Sequence, residues 1–325
     1  MLNKEFEPAL LLQQKRSKLT ELEYYGFIKF IDKNGKAFGI GKDNDYPFFH
    51  RSCAKPLQAS LIADFDTVNY FNMNSQEIAV CCASHTGEPM HVEILRNLLV
   101  KGGFSEKDLK CPVIPPLNKE EQLKFSVYSP LHNNCSGKHS LMLLLCRENG
   151  WETESYLCPE HPLQKLICMK IAELAEEKNN LEMTYDGCNA PNWATSLNGL
   201  ARAFGNLFLN YKYLDIRKAF VENPYLIGGK DRFDTDLMLY SKDIIAKVGA
   251  GGLCAAVNLK TNESLAVKVI DADMKARSII VIEAMRQIGW LNNKSIDENL
   301  LKIYSKDVCT QTGIKVGEIT PCFSF

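Results

Sequence analysis

The stretch from Tyr24 to Lys42, Y-Y-G-F-I-K-F-I-D-K-N-G-K-A-F-G-I-G-K, decides the fold class. Apolar residues alternate on both sides of Asn34-Gly35, the pair favoured in two-residue type I′ turns, so the spacing predicts a β-hairpin. Two more strands are expected far along the chain, over Gly252 to Asn258 and Leu265 to Ile270, joined by Lys260-Thr261-Asn262-Glu263. Between these ends the periodicity is mostly helical: Pro56 to Phe65, Met90 to Val100, Gly137 to Glu148, Leu163 to Lys178 and Asn192 to Phe208, with Met274 to Ile288 after the last strand. Gln76 to Glu88 starts as a strand-like or buried helical run and ends in a polar turn, and Lys101 to Pro130 is a proline-punctuated loop. Sheet material at both ends around a helix-rich middle predicts an α/β (α+β) fold. Its mostly antiparallel sheet is built from both chain ends and flanked by helices. The domain spans 1–325, undivided or split into a sheet lobe and a helix-rich lobe over residues 60–240.

Composition narrows the function classes. Lys plus Arg (38) nearly balances Asp plus Glu (39), for a formal net charge of −1, so nothing calls for nucleic acid or an anionic membrane as a partner. The opening Met1 to Arg16 carries a short apolar run, Ala9 to Leu12, preceded by Glu5 and Glu7. A secretory leader wants a basic start and a longer core. No window reaches the roughly 18 apolar residues of a membrane span. Twelve cysteines in 325 residues are too sparse for a disulfide scaffold, and read as reduced, mostly buried thiols of a cytoplasmic protein.

Several segments could carry chemistry. Ser52-Cys53-Ala54-Lys55 is an S-x-x-K at a helix start, where i and i+3 face the same way and a desolvated lysine can take a serine proton. Read by itself it is as well explained by a capping serine and a surface lysine. Ser84-His85-Thr86-Gly87-Glu88 gathers a hydroxyl, an imidazole and a carboxylate in one turn, or is simply a polar loop. Lys247-Val248-Gly249-Ala250-Gly251-Gly252 sets a lysine before glycines that let backbone approach a ligand. Lys268, alternating with Val267 and Val269, is its rival, or a plain edge lysine. Cys135, in Cys135-Ser136-Gly137-Lys138-His139, and Cys188, in Asp186-Gly187-Cys188, could ligate Zn²⁺, though buried free thiols fit equally; His139 is a third ligand or a substrate contact. Arg51, Glu88 and Asp186 lie beside these motifs and could read the charged groups of an amino acid, or form structural ion pairs.

Taken in order, His50-Arg51-Ser52-Cys53-Ala54-Lys55-Pro56-Leu57-Gln58, Ser84 to Glu88, His132 with Asn134 to His139, Asp186-Gly187-Cys188 and Lys247-x-Gly249-Ala250 resemble the thermolabile, rhizobial-type L-asparaginase II family over residues 22 to 290. The resemblance implies a serine β-lactamase-like and glutaminase-like fold, and hydrolysis of L-asparagine to L-aspartate and ammonia by a homodimer. It implies two serine–lysine tandems, Ser52 with Lys55 and Ser84 with Lys247 (Lys268 second). It also implies a zinc site of Cys135, Lys138 and Cys188, with Arg51, His85, Glu88, His139 and Asp186 contacting substrate. Gly251 stands where the family often has glutamate, and Asn189 where it has a small residue. A serine glutaminase or related amidase, and a non-catalytic zinc-binding protein, are the rival readings.

Overall fold

The computed structural model describes residues 6–124, 127–291, 300 and 304–325; Glu5, weighed above in the opening segment, lies outside them. The described residues form eleven strands: β1 (Ala9–Arg16), β2 (Leu19–Ile31), β3 (Ala37–Ile40), β4 (Pro47–Phe49), β5 (Met183–Tyr185), β6 (Pro191–Ser196), β7 (Ile244–Gly249), β8 (Leu253–Asn258), β9 (Glu263–Val269), β10 (Asp307–Cys309) and β11 (Lys315–Pro321). The main sheet runs β10-β11-β1-β2-β9-β8-β7 with β3 on β2, every pairing antiparallel. It draws strands from both chain ends, as expected. β4, β6 and β5 form a small second sheet.

Strand alternation assigns the two faces. In β8, Leu253, Ala255 and Val257 enter the large core shared with the middle helices. Cys254 and Ala256 enter a second core under the Met274–Gln287 helix. The same parity holds in β2, where Phe27 and Ile31 face the first core and Ile28 and Phe30 the second. A side-chain period of 2 makes this division automatic. By that parity Lys247 on β7 and Lys268 on β9 project to the helix-rich side, the side that holds Ser52.

Three expectations need correcting. The hairpin closes through Lys33-Asn34-Gly35, not a type I′ pair: Asp32 N–H donates to Lys36 O at 3.0 Å, and only Gly35 in the loop has positive φ. Asp32 Oδ1 accepts from the N–H groups of Asn34 and Lys36, which favours this longer turn. The segment read as one helix from Asn192 is strand β6 followed by a Leu197–Phe208 helix, because Ser196 caps that helix through Gly199 N–H. The helix read over Pro56 to Phe65 is shorter and continuous with turns either side: a 3₁₀ turn Arg51–Cys53, an α-helix Ala54–Ala59 and a 3₁₀ turn Ser60–Ala63.

Candidate active site

The Arg51–Cys53 turn is held where the two sheets meet. His50 N–H donates to Trp193 O of β6, and His50 Nε2 lies 2.6 Å from Thr195 Oγ1. Since the Thr195 hydroxyl donates to Ser196 O, it accepts from the imidazole, which burial keeps neutral with a pKa pushed down to about 3. On the other side Cys53 Sγ donates to Lys247 O at 3.1 Å. β7 comes so close that a Cβ on Gly249 would sit 2.9 Å from His50 O and 3.1 Å from Cys53 Sγ. That is the reason for glycine at this position. Arg51 itself has φ +51°, the left-handed region that non-glycine residues avoid.

Ser52 opens into a cavity of about 240 Å³ whose wall also includes Arg51, Asn134, Cys135, Asp186 and Cys188. Among the described residues the Ser52 hydroxyl has no hydrogen-bond partner. Asp186 is the cavity's charge hub. Its Oδ1 accepts from Arg51 Nε at 2.7 Å and from Asn192 Nδ2 at 3.0 Å, and Lys138 Nζ lies 3.5 Å from Oδ2. Burial alone would raise the Asp186 pKa; Lys138 and Arg51 outweigh it and hold the carboxyl ionised. Interaction with Cys188, together with the charges of Lys55 and Lys138, pulls the Cys135 thiol pKa down, and Cys135 in turn pushes that of Cys188 up. Lys138, buried against both thiols and Asp186, is held as a cation despite its burial.

Lys55 lies beneath this wall, fully buried. Its ammonium nitrogen is 2.7 Å from Ala83 O, 2.7 Å from Asn134 O and 3.0 Å from Ser84 Oγ. Among the described residues no carboxylate pairs with it. Burial pulls its pKa down, opposed by the Cys135 and Cys188 sulfurs and aided by the charges of Lys138 and Lys247. The lysine that touches Ser84 is thus Lys55. Lys247, expected there, instead forms a fully buried ion pair with Asp234 at 2.7 Å and donates to Val248 O at 3.2 Å. Lys268 bonds the carbonyls of Gly251 and Val269.

Four other expected residues lie off the cavity wall. His85 accepts from Gly87 N–H at Nδ1, so its protonated Nε2 donates to Ser136 Oγ at 2.9 Å, and the ring stacks 5.0 Å from His91. Glu88 accepts from Thr86 Oγ1, Asn118 Nδ2, Lys230 N–H and Tyr225 OH. Burial alone would raise its pKa, but these bonds bring it to about 2. His139 Nδ1 receives the Tyr156 hydroxyl at 2.7 Å, while Tyr156 accepts from Lys110 N–H; its Nε2 is buried without a partner. Ser84 is buried behind the wall with its N–H on Ile227 O. Two residues of the network, Asn192 and Asp234, escaped the sequence reading. Each sits in an ordinary-looking strand or helix start, and only the fold brings it to Asp186 or Lys247.

Two thiols and an amine that interact with one another suit a borderline-soft ion, and Lys138 would have to lose its proton to join them. Among the described residues no group of three or more His, Cys, Asp or Glu side chains is placed to hold a metal ion, so any such site depends on the lysine. None of the helices in the described residues is long and apolar enough to cross a membrane.

Among solved structures the chain is similar to a candidate β-lactamase from Bacteroides dorei DSM 17855, with 13% identity, a TM-score of 0.42, and coverage of 81% of this chain and 93% of that one. No curated protein matches it. Residues 12–321 match the L-asparaginase II family, so the chain belongs to that family and is a hydrolase of the asparagine side-chain amide.

Proposed function

We propose that Ser52 is the nucleophile and Lys55 its base. Ser52 stands three residues before Lys55 on one continuous helical segment, so the amine and the hydroxyl lie on the same side. The observation that carries this reading is a free serine hydroxyl on the cavity wall above a buried lysine with no counter-carboxylate. A neutral Lys55 has two N–H groups, which suit the Ala83 and Asn134 carbonyls, and a lone pair. Ser84 O–H can rest on that lone pair until Ser52 delivers its proton there. Ser52 Oγ then bonds the amide carbon, the C–N bond breaks, and Lys55 returns the proton so that ammonia leaves. Water attacks the resulting ester by the same exchange, releasing L-aspartate and restoring Ser52. Lys247 contributes through its charge, which helps keep Lys55 neutral.

Substrate recognition falls to the Arg51–Asp186 pair. An amino acid brings an α-carboxylate for Arg51 and an α-ammonium for Asp186, exchanging one ion pair for two. Cys135, Cys188 and Lys138 would hold zinc, which when bound supplies a Lewis acid that orients polar substrate groups. The homodimer and cytoplasmic location stay inferences from the family resemblance and the thiol content. An ammonia-release assay on asparagine and glutamine tests the reading. Lys55→Met should lose activity on asparagine with folding intact, and a fully active variant would refute it.

A further inference from the structure

A second cavity, of about 280 Å³, opens beside strand β7 where two helices begin. It shares no wall residue with the Ser52 cavity. Its wall carries Arg232, Lys275, Arg277 and Ser278, with Asp231 as a carboxylate and Phe233 as an apolar floor. The Tyr304 hydroxyl, also on the wall, is committed to Asp236 at 2.8 Å.

Arg277 is the unexplained group. It is only 5% exposed and has no carboxylate partner among the described residues. Its Nε is buried with no hydrogen-bond partner, and its one side-chain bond is a long 3.5 Å contact from Nη2 to Ser278 Oγ. The guanidinium lies over the Phe233 ring at 5.8 Å, which satisfies a face of the ion but none of its N–H donors. The Nε of Arg232 is likewise buried and unpartnered. Buried donors, above all charged ones, normally have acceptors. The N-terminal part of the 14-residue Met274–Gln287 helix, through Met274, Lys275 and Ser278, also lines this space; its dipole adds positive potential, and Asp273 Oδ1 takes only the Ala276 N–H at its cap.

We propose that this cavity binds a phosphate-class anion, either free or as the end of a phosphomonoester. Arg232 comes from one element, and Lys275, Arg277 and the helix N-terminus from another; the carboxylates are Asp231, on the wall, and Asp273, the helix cap. That arrangement suits a tetrahedral dianion with several oxygens better than a planar monocarboxylate, which one guanidinium would satisfy.

The full-length protein is titrated by calorimetry with inorganic phosphate, AMP and acetate in chloride buffer, and its melting temperature is followed alongside. The wild type should bind phosphate or AMP, rise in melting temperature, and bind acetate at least about tenfold more weakly. Preference for AMP over phosphate identifies the ester; equal binding identifies the free ion. Arg277→Gln should weaken phosphate binding about tenfold or more and leave asparagine hydrolysis unchanged. If that variant fails to fold, Arg232→Gln, at a less buried position, carries the same test. Absence of binding, equal affinity in variant and wild type, or acetate binding as tightly as phosphate would overturn the proposal.

Discussion

Lys55 and Lys247 are both fully buried, yet their surroundings differ in kind. Lys247 meets the Asp234 carboxylate at 2.7 Å, so its charge is balanced and built into the fold. Lys55 meets two carbonyls and a serine hydroxyl, with Lys138 and Lys247 contributing like charge. Burial without a carboxylate partner pulls the Lys55 pKa down, whereas the Asp234 carboxylate gives the Lys247 ammonium a direct ion-pair partner. On the proposed mechanism the helix lysine is the base, and the strand lysine acts through its charge.

Substitutions can break that contrast. Lys55→Met should lower kcat on asparagine by about 10³-fold, the scale of a lost general base, measured by ammonia release. Lys247→Met leaves Asp234 buried without its partner and should cost about 3–5 kcal/mol in denaturant unfolding. Replacing Asp234 as well, in Lys247→Met/Asp234→Leu, should recover much of that loss. In whatever fraction of Lys247→Met folds, the missing positive charge lets the Lys55 pKa rise. The acid limb of kcat/KM should then move to higher pH.

Two smaller tests lie further from the cavity. The Glu88 carboxyl, ordinarily near 4.5, is brought to about 2 by its hydrogen bonds against the opposing effect of burial. Its stabilisation is complete above pH 4.5 and fades as the pH falls towards 2, a window that Glu88→Gln should flatten in acid-unfolding curves. Tyr156→Phe removes the hydroxyl between Lys110 N–H and His139 Nδ1, for about 1 kcal/mol in thermal unfolding.

Much of the fold was legible because period-2 and helical patterns report burial directly. β2, β8, β9 and the Met274–Gln287 helix all fall where alternation or helical spacing puts them. β10 and β11 were not read. They carry Asp307, Lys315 and Glu318 in the edge strand and the strand beside it, where apolar alternation gives out. Strand β6 was hidden because all six of its residues are buried, which leaves no polar face to betray its period. At the site, local motifs found the residues that lie close in sequence, such as Ser52 with Lys55. Which lysine serves Ser84 depended on Asp234, a residue that tertiary folding alone brings to Lys247.

The most direct test of the central claim is the rate of ammonia release from L-asparagine by Ser52→Ala. The Ser52 hydroxyl makes no bond within the described protein, so its loss should leave the melting temperature unchanged. The account predicts a correctly folded variant with activity reduced by at least about 10⁴-fold. A folded Ser52→Ala enzyme that releases ammonia at near the wild-type rate would contradict it.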